Sequence, residues 1–63
     1  MTVDECIQEW KDTGDTRYEA YIGFNLVELI INNKSGEPVI INKEVFLDLG
    51  LAYDDENIKW EKY

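Results

Sequence analysis

The sequence predicts an α+β fold: a small single domain over residues 1–63, in the order α-β-β-β-α-β, with an antiparallel sheet carrying two short helices on one face. Three observations predict it. Apolar residues near the start recur with the period of a helix, those from Tyr18 onward recur with the period of a strand or in β-branched runs, and Gly14, Gly23, Asn32 to Pro38 and Gly50 punctuate the segments.

Val3, Cys6, Ile7 and Trp10 stand at i, i+3, i+4 and i+7, so they share one face of a helix over residues 3–12. Thr2 with Glu5 three residues later forms a capping box, Asp4 and Glu5 suit the positive end of the helix dipole, and Gly14 supplies the left-handed stop. From Thr16 the period becomes two. Tyr18, Ala20, Ile22 and Phe24 alternate with Arg17, Glu19 and Tyr21, the pattern of a strand with one buried face, and Gly23 and Asn25 permit a tight turn or bulge. Leu26 to Ile31 fits two readings, because Asn25 and Glu28 also resemble a capping box; the β-branched Val27, Ile30 and Ile31 favour a strand over a short helix. Asn32 to Pro38 is a turn, after which Val39, Ile40 and Ile41 suit a buried strand returning as a hairpin.

Asn42 reads as the N-cap of a second helix running to Leu49, with Val45, Phe46 and Leu49 on the core side, Gly50 as its stop and Leu51 folding back over the last turn. Asp54 to Asn57 form a solvated connection. Ile58 and Trp60 then alternate with Lys59 and Glu61 as a final strand ending at Tyr63.

Fourteen Asp and Glu face six Lys and Arg with no His, a formal charge of −8. High net charge is a signature of disorder, but 44% hydrophobic and 13% aromatic residues, placed with regular periods, provide a core. A domain this small buries only about 60% of its unfolded surface, so its stability is marginal. No apolar run approaches the ~18 residues of a membrane span and no basic start leads into an apolar stretch. The expected setting is the cytoplasm, away from membranes.

The composition excludes most catalytic chemistry. Without His, neither a Ser-His-Asp nor a Cys-His arrangement exists within the chain, and four scattered glycines make no phosphate-binding loop. The one cysteine, Cys6, forms no internal disulfide and completes no zinc site; its place on the apolar helix face makes it a small core residue. Asp54, Asp55 and Glu56 are consecutive carboxylates without the alternating spacing and glycine of a calcium loop. The sequence therefore predicts no enzyme, no cofactor and no metal.

Binding is left, and the sign of the charge selects the partner. A duplex repels a chain of this charge, and the six basic residues are scattered among acids, so direct nucleic-acid binding is not expected. Acids outnumber bases by four over residues 1–15, by one over 16–41 and by three over 42–63. Glu5, Glu9 and Asp12 follow i, i+4 and i+7 spacing on a stripe roughly opposite the apolar one. Repeated carboxylates meet the same Arg and Lys groups that grip a nucleic-acid backbone, as in a nucleic-acid mimic. Trp10, Tyr18, Phe24, Phe46 and Trp60 suffice for the core, which leaves Tyr21, Tyr53 and Tyr63 outside it. The expectation is a non-enzymatic acidic protein-binding module: an inhibitor or regulator of a basic, nucleic-acid-processing protein, of the kind phages encode. Asp4, Glu5, Glu9, Asp12, Asp54, Asp55 and Glu56 would steer the partner, and Tyr21 and Tyr53 would anchor it. The competing expectation is a structural homodimer joined at a strand edge, its acidity serving solubility alone.

Overall fold

The computed structural model describes residues 1–63, and its first helix starts where the capping box demands. Helix α1 spans Val3–Thr13; the Thr2 hydroxyl accepts from the Glu5 N–H at 3.2 Å and the Glu5 carboxylate accepts from the Thr2 N–H at 3.0 Å. Gly14, at φ 83°, closes the helix by donating to the Trp10 carbonyl at 2.8 Å.

Strands β1 (Arg17–Ile22), β2 (Asn25–Ile31), β3 (Pro38–Ile41) and β4 (Glu61–Lys62) form one antiparallel sheet in the order β3-β2-β1-β4. The strand reading of Leu26 to Ile31 is the observed one. Tyr18, Ala20 and Ile22 from β1 and Val27, Leu29 and Ile31 from β2 are buried on the inner face. Val3 and Cys6 of α1, Phe46 of helix α2 (Glu44–Leu49), Ile58 and Trp60 join them in one apolar cluster, so both helices contribute to the core of the same face. The chain leaves the sheet at β3 and re-enters at the opposite edge; α2 lies within that connection, where Phe46 stacks on Trp60 at 6.4 Å between ring centroids.

Five details differ from the sequence reading, four of them ahead of the last strand. Phe24 is fully exposed at 103%, because Gly23 at φ 62° and Phe24 are the two central residues of the β1–β2 turn. Only Gly23 takes a positive φ there, as a two-residue type II′ turn requires, and the alternation that buries Ile22 stops at the strand end. Asn42 does not cap α2. It takes the left-handed conformation at φ 63°, which turns the chain sharply out of β3, and its amide donates to the Leu26 carbonyl at 3.4 Å while Lys43 takes the cap position without a side-chain bond. Along β3, Val39 and Ile41 face outward and only Pro38 and Ile40 are half-buried. In α2, Phe46 is buried and Val45 half-buried, whereas Leu49 is exposed; Leu51, beyond the helix, folds back so that its N–H donates to the Phe46 carbonyl at 2.9 Å, with its side chain exposed.

Ile58 and Trp60 are buried as their alternation predicts, yet the strand holds only Glu61 and Lys62. Asp55 and Asn57 form a turn ahead of it, and Trp60 exchanges backbone hydrogen bonds with Met1 at 2.6 and 2.9 Å instead of joining β1. Both edges are thereby blunted. On β3, the register set by the bond from the Asn32 N–H to the Glu37 carbonyl at 2.8 Å points the backbone N–H and C=O of Val39 and Ile41 toward β2, so the backbone donors left for the edge fall at Pro38, which has none, and Ile40.

Trp10 pins α1 to the β2–β3 turn. Its indole N–H donates to Asn33 Oδ1 at 2.9 Å, and its ring lies so close to Gly36 that a Cβ there would stand 2.9 Å from Cζ3. Gly36 also holds φ +76°. Gly36→Ala is expected to cost about 2–4 kcal/mol, combining left-handed backbone strain with displacement of the indole; Gly14→Ala, also at positive φ but with open space around it, bears the strain alone. Urea unfolding of both variants checks this, and equal losses would remove the packing contribution.

Trp60 is fully buried and its indole N–H has no partner. An orphaned buried donor costs about 1–3 kcal/mol. Trp60→Phe, which removes it, is therefore expected to lose less than about 1.5 kcal/mol, against about 3–5 kcal/mol for Trp60→Ala, by the same unfolding measurement.

Candidate functional site

The α1 carboxylates are more occupied than their spacing suggests. Glu5 is held in the capping box, and those hydrogen bonds from Thr2 keep its carboxyl below the usual range. Glu9 lies 2.5 Å from Lys62 Nζ, and Asp15 binds the same ammonium at 3.1 Å. Register explains the pairing: Lys62 stands opposite Tyr18 on β1, whose side chain faces inward, so Lys62 extends under the edge of the sheet toward α1. Asp12 is exposed and accepts from the Gln8 amide at 3.1 Å. Of the stripe of Glu5, Glu9 and Asp12, the first two are thus engaged by the capping box and by Lys62, and Asp12 is exposed with only the Gln8 amide upon it.

A second group assembles across the chain. Asp4, from the first turn of α1, lines a hollow of about 230 Å³ with Thr2, Val3, Asp54 and Glu56, bringing residues about fifty positions apart onto one surface. None of these three carboxylates has a hydrogen-bond or ion-pair partner. Asp55, between them in sequence, is engaged otherwise: its Oδ1 accepts from the Asn57 N–H at 2.8 Å and stabilises the turn before Ile58. The carboxylates line the hollow without converging as a set of metal ligands.

The two tyrosines fall on different surfaces. Tyr53 stands beside Pro38, Val39, Ile40 and Lys43 at the β3 edge. Tyr21, 72% exposed, lies on the outer sheet face opposite Leu26. Sequence patterning missed further exposed apolar residues: Phe24, Leu26, Val39 and Ile41 on the hairpin tip and the outer face, and, away from that face, Leu47 and Leu49 of α2 with Leu51 after it. The signal for Phe24 was Gly23 before it, which places the pair in a turn.

Cys6 lies wholly in the core, where burial pushes its thiol up to about 11, so it stays protonated and unreactive at neutral pH. Tyr18 is likewise raised by burial, and its hydroxyl donates to the Asp15 carbonyl at 2.9 Å. No helix is long and apolar enough to cross a membrane. No family model matches the chain, and neither does any curated protein or solved structure.

The bond to Lys62, with a lesser one from Thr13, holds the Asp15 carboxyl below its ordinary value, and the bonds to Glu9 and Asp15 push Lys62 up to about 12. A lowered carboxyl contributes stability above its unfolded pKa and loses it as pH falls through the folded value. A raised ammonium contributes below its unfolded pKa, and that contribution is lost as pH rises through about 12. The network therefore operates from mildly acidic to strongly alkaline conditions. Lys62→Met is expected to return the Asp15 carboxyl most of the way to its usual range, measured by carbon-detected NMR titration; an Asp15 that stays depressed would locate the cause elsewhere.

Proposed function

We propose that this chain is a non-enzymatic acidic protein-binding module of the cytoplasm. It inhibits or regulates a basic, nucleic-acid-binding protein, in the manner of phage-encoded blockers of nucleic-acid-processing enzymes. The observation that supports this most directly is the unpartnered trio Asp4, Asp54 and Glu56 around one hollow, on a chain of charge −8. Carboxylates without internal partners are free to accept from Arg and Lys, whose geometry suits carboxylate and phosphate alike. Asp12, at the far end of α1, extends the negative surface. The field of such a surface accelerates encounter with a basic protein and repels a duplex.

Self-association through a strand edge has less support. Pro38 removes an outward donor from β3, and Met1 occupies the backbone of Trp60 beside β4. An extended intermolecular sheet would have to start from the few groups left.

The test is affinity capture from the native host at low salt, elution by a salt step, and kinetics with the protein identified. The Debye length falls from about 30 Å at 0.01 M to about 3 Å at 1 M salt, so association should slow steeply over that range. The triple variant Asp4→Asn, Asp54→Asn, Glu56→Gln should slow association about tenfold at low salt. Binding indifferent to both salt and these amides would overturn the proposal.

A further inference from the structure

We infer that the outer face of the sheet is a docking surface for a basic amphipathic helix of the partner protein. This inference rests on the acidic-module reading and assigns it a contact surface. Both helices contribute to the core on the other face, so nothing in the chain covers Tyr21, Leu26, Val39 and Ile41, which are 72%, 38%, 50% and 40% exposed. Register arranges them around Glu28: Tyr21 opposes Leu26 on one side of it, Val39 opposes the half-buried Ile30 on the other, and Ile41, directly opposite Glu28 on β3, stands diagonal to both Leu26 and Ile30. Phe24 extends the patch at the hairpin tip. Contiguous apolar surface of this kind on a small protein marks an interaction site.

Charge on the same face specifies the occupant. Glu19 stands directly opposite both Glu28 and Glu61, so three carboxylates form a row across β2, β1 and β4 that ends against Ile41 of β3 and runs between the Tyr21–Leu26 and Ile30–Val39 pairs. Like charges opposed across strands destabilise a sheet. Arg17 reaches Glu28 only at 3.8 Å while also lying over the Tyr63 ring, and Lys59 is the one other base beside the row. The row is a local cost to the fold that an added layer of Lys or Arg would relieve. A helix with one apolar and one basic face satisfies both features: its apolar side chains cover Leu26, Ile30, Val39 and Ile41, and its flanking cations meet Glu19, Glu28 and Glu61. A second copy of this chain fits worse, because face-to-face packing would set one carboxylate row against another.

The probes are two synthetic amphipathic helices, one of Leu and Lys with the leucines on one face, the other with Glu in place of every Lys. Amide NMR with the Leu–Lys helix should move Tyr21, Leu26, Glu28, Val39 and Ile41. The double variant Val39→Thr, Ile41→Thr, which keeps strand-forming residues at exposed positions, should weaken binding about tenfold, the scale of losing one good anchor. Tyr21→Ser provides the same test without touching β3. Glu19→Gln should weaken the peptide while raising the melting temperature of the free protein, opposite signs that a purely structural role does not produce. Shifts confined to Asp4, Asp54 and Glu56 would overturn the sheet-face assignment and leave the acidic module standing. Equal binding of the Leu–Glu helix, or none of either, would overturn the sheet-face assignment, while the acidic module stands or falls on the salt dependence of the captured partner. A homodimer in sedimentation whose dissociation follows Val39→Thr, Ile41→Thr would overturn the assignment in favour of a second copy.

Discussion

Two short helices cover one face of a four-stranded sheet and no more, and the other features of this protein follow from that shortage of cover. Trp60 is the centre of the covered side: fully buried, stacked on Phe46, and tied by its backbone to Met1, it brings the two ends of the chain and the second helix onto the same patch of β1 and β2. Its indole N–H has no hydrogen-bond partner within the chain. With one side committed to the interior, every alternate residue of three strands faces outward, whatever its chemistry.

The features legible in the sequence were those set by local chemistry. The capping box at Thr2 and Glu5, the left-handed stop at Gly14, and the inward alternation of Tyr18, Ala20 and Ile22 follow from neighbours in sequence. Cys6 lies in the core because its helical spacing puts it with Val3. What escaped the reading depends on distant contacts. Phe24 continued the apolar alternation in letters but fell beyond the strand, and Asn42 has the composition of a cap while serving as the left-handed corner between β3 and α2. Val39 to Ile41 read as a buried run because the sequence does not say that β3 lies at an edge with one face uncovered.

The candidate site divides in the same way. The acidity of the chain was evident from composition, but which carboxylates are free was not, because that is decided by partners remote in sequence. Glu9 meets Lys62 across more than fifty residues, whereas Asp4 gains Asp54 and Glu56 as neighbours through the path of the loop after α2. Helical spacing selected Glu5, Glu9 and Asp12 as one stripe, and the fold turns two of them inward on the molecule's own hydrogen bonds. Apolar anchors showed the reverse pattern: only Tyr21 and Tyr53 were evident from sequence, and the register of the sheet added Leu26, Val39 and Ile41.

The blunted strand edges bear on how such a molecule behaves when its own copies are crowded together. A protein displaying this many oily side chains, with open rows of amides beside them, would recruit its own copies into fibrils. Pro38 on one flank and Met1 on the other leave fewer free backbone groups for that recruitment, and a net charge of −8 sets colliding copies against one another. Exposed apolar side chains and interrupted backbone ladders therefore lie side by side in the same 63 residues.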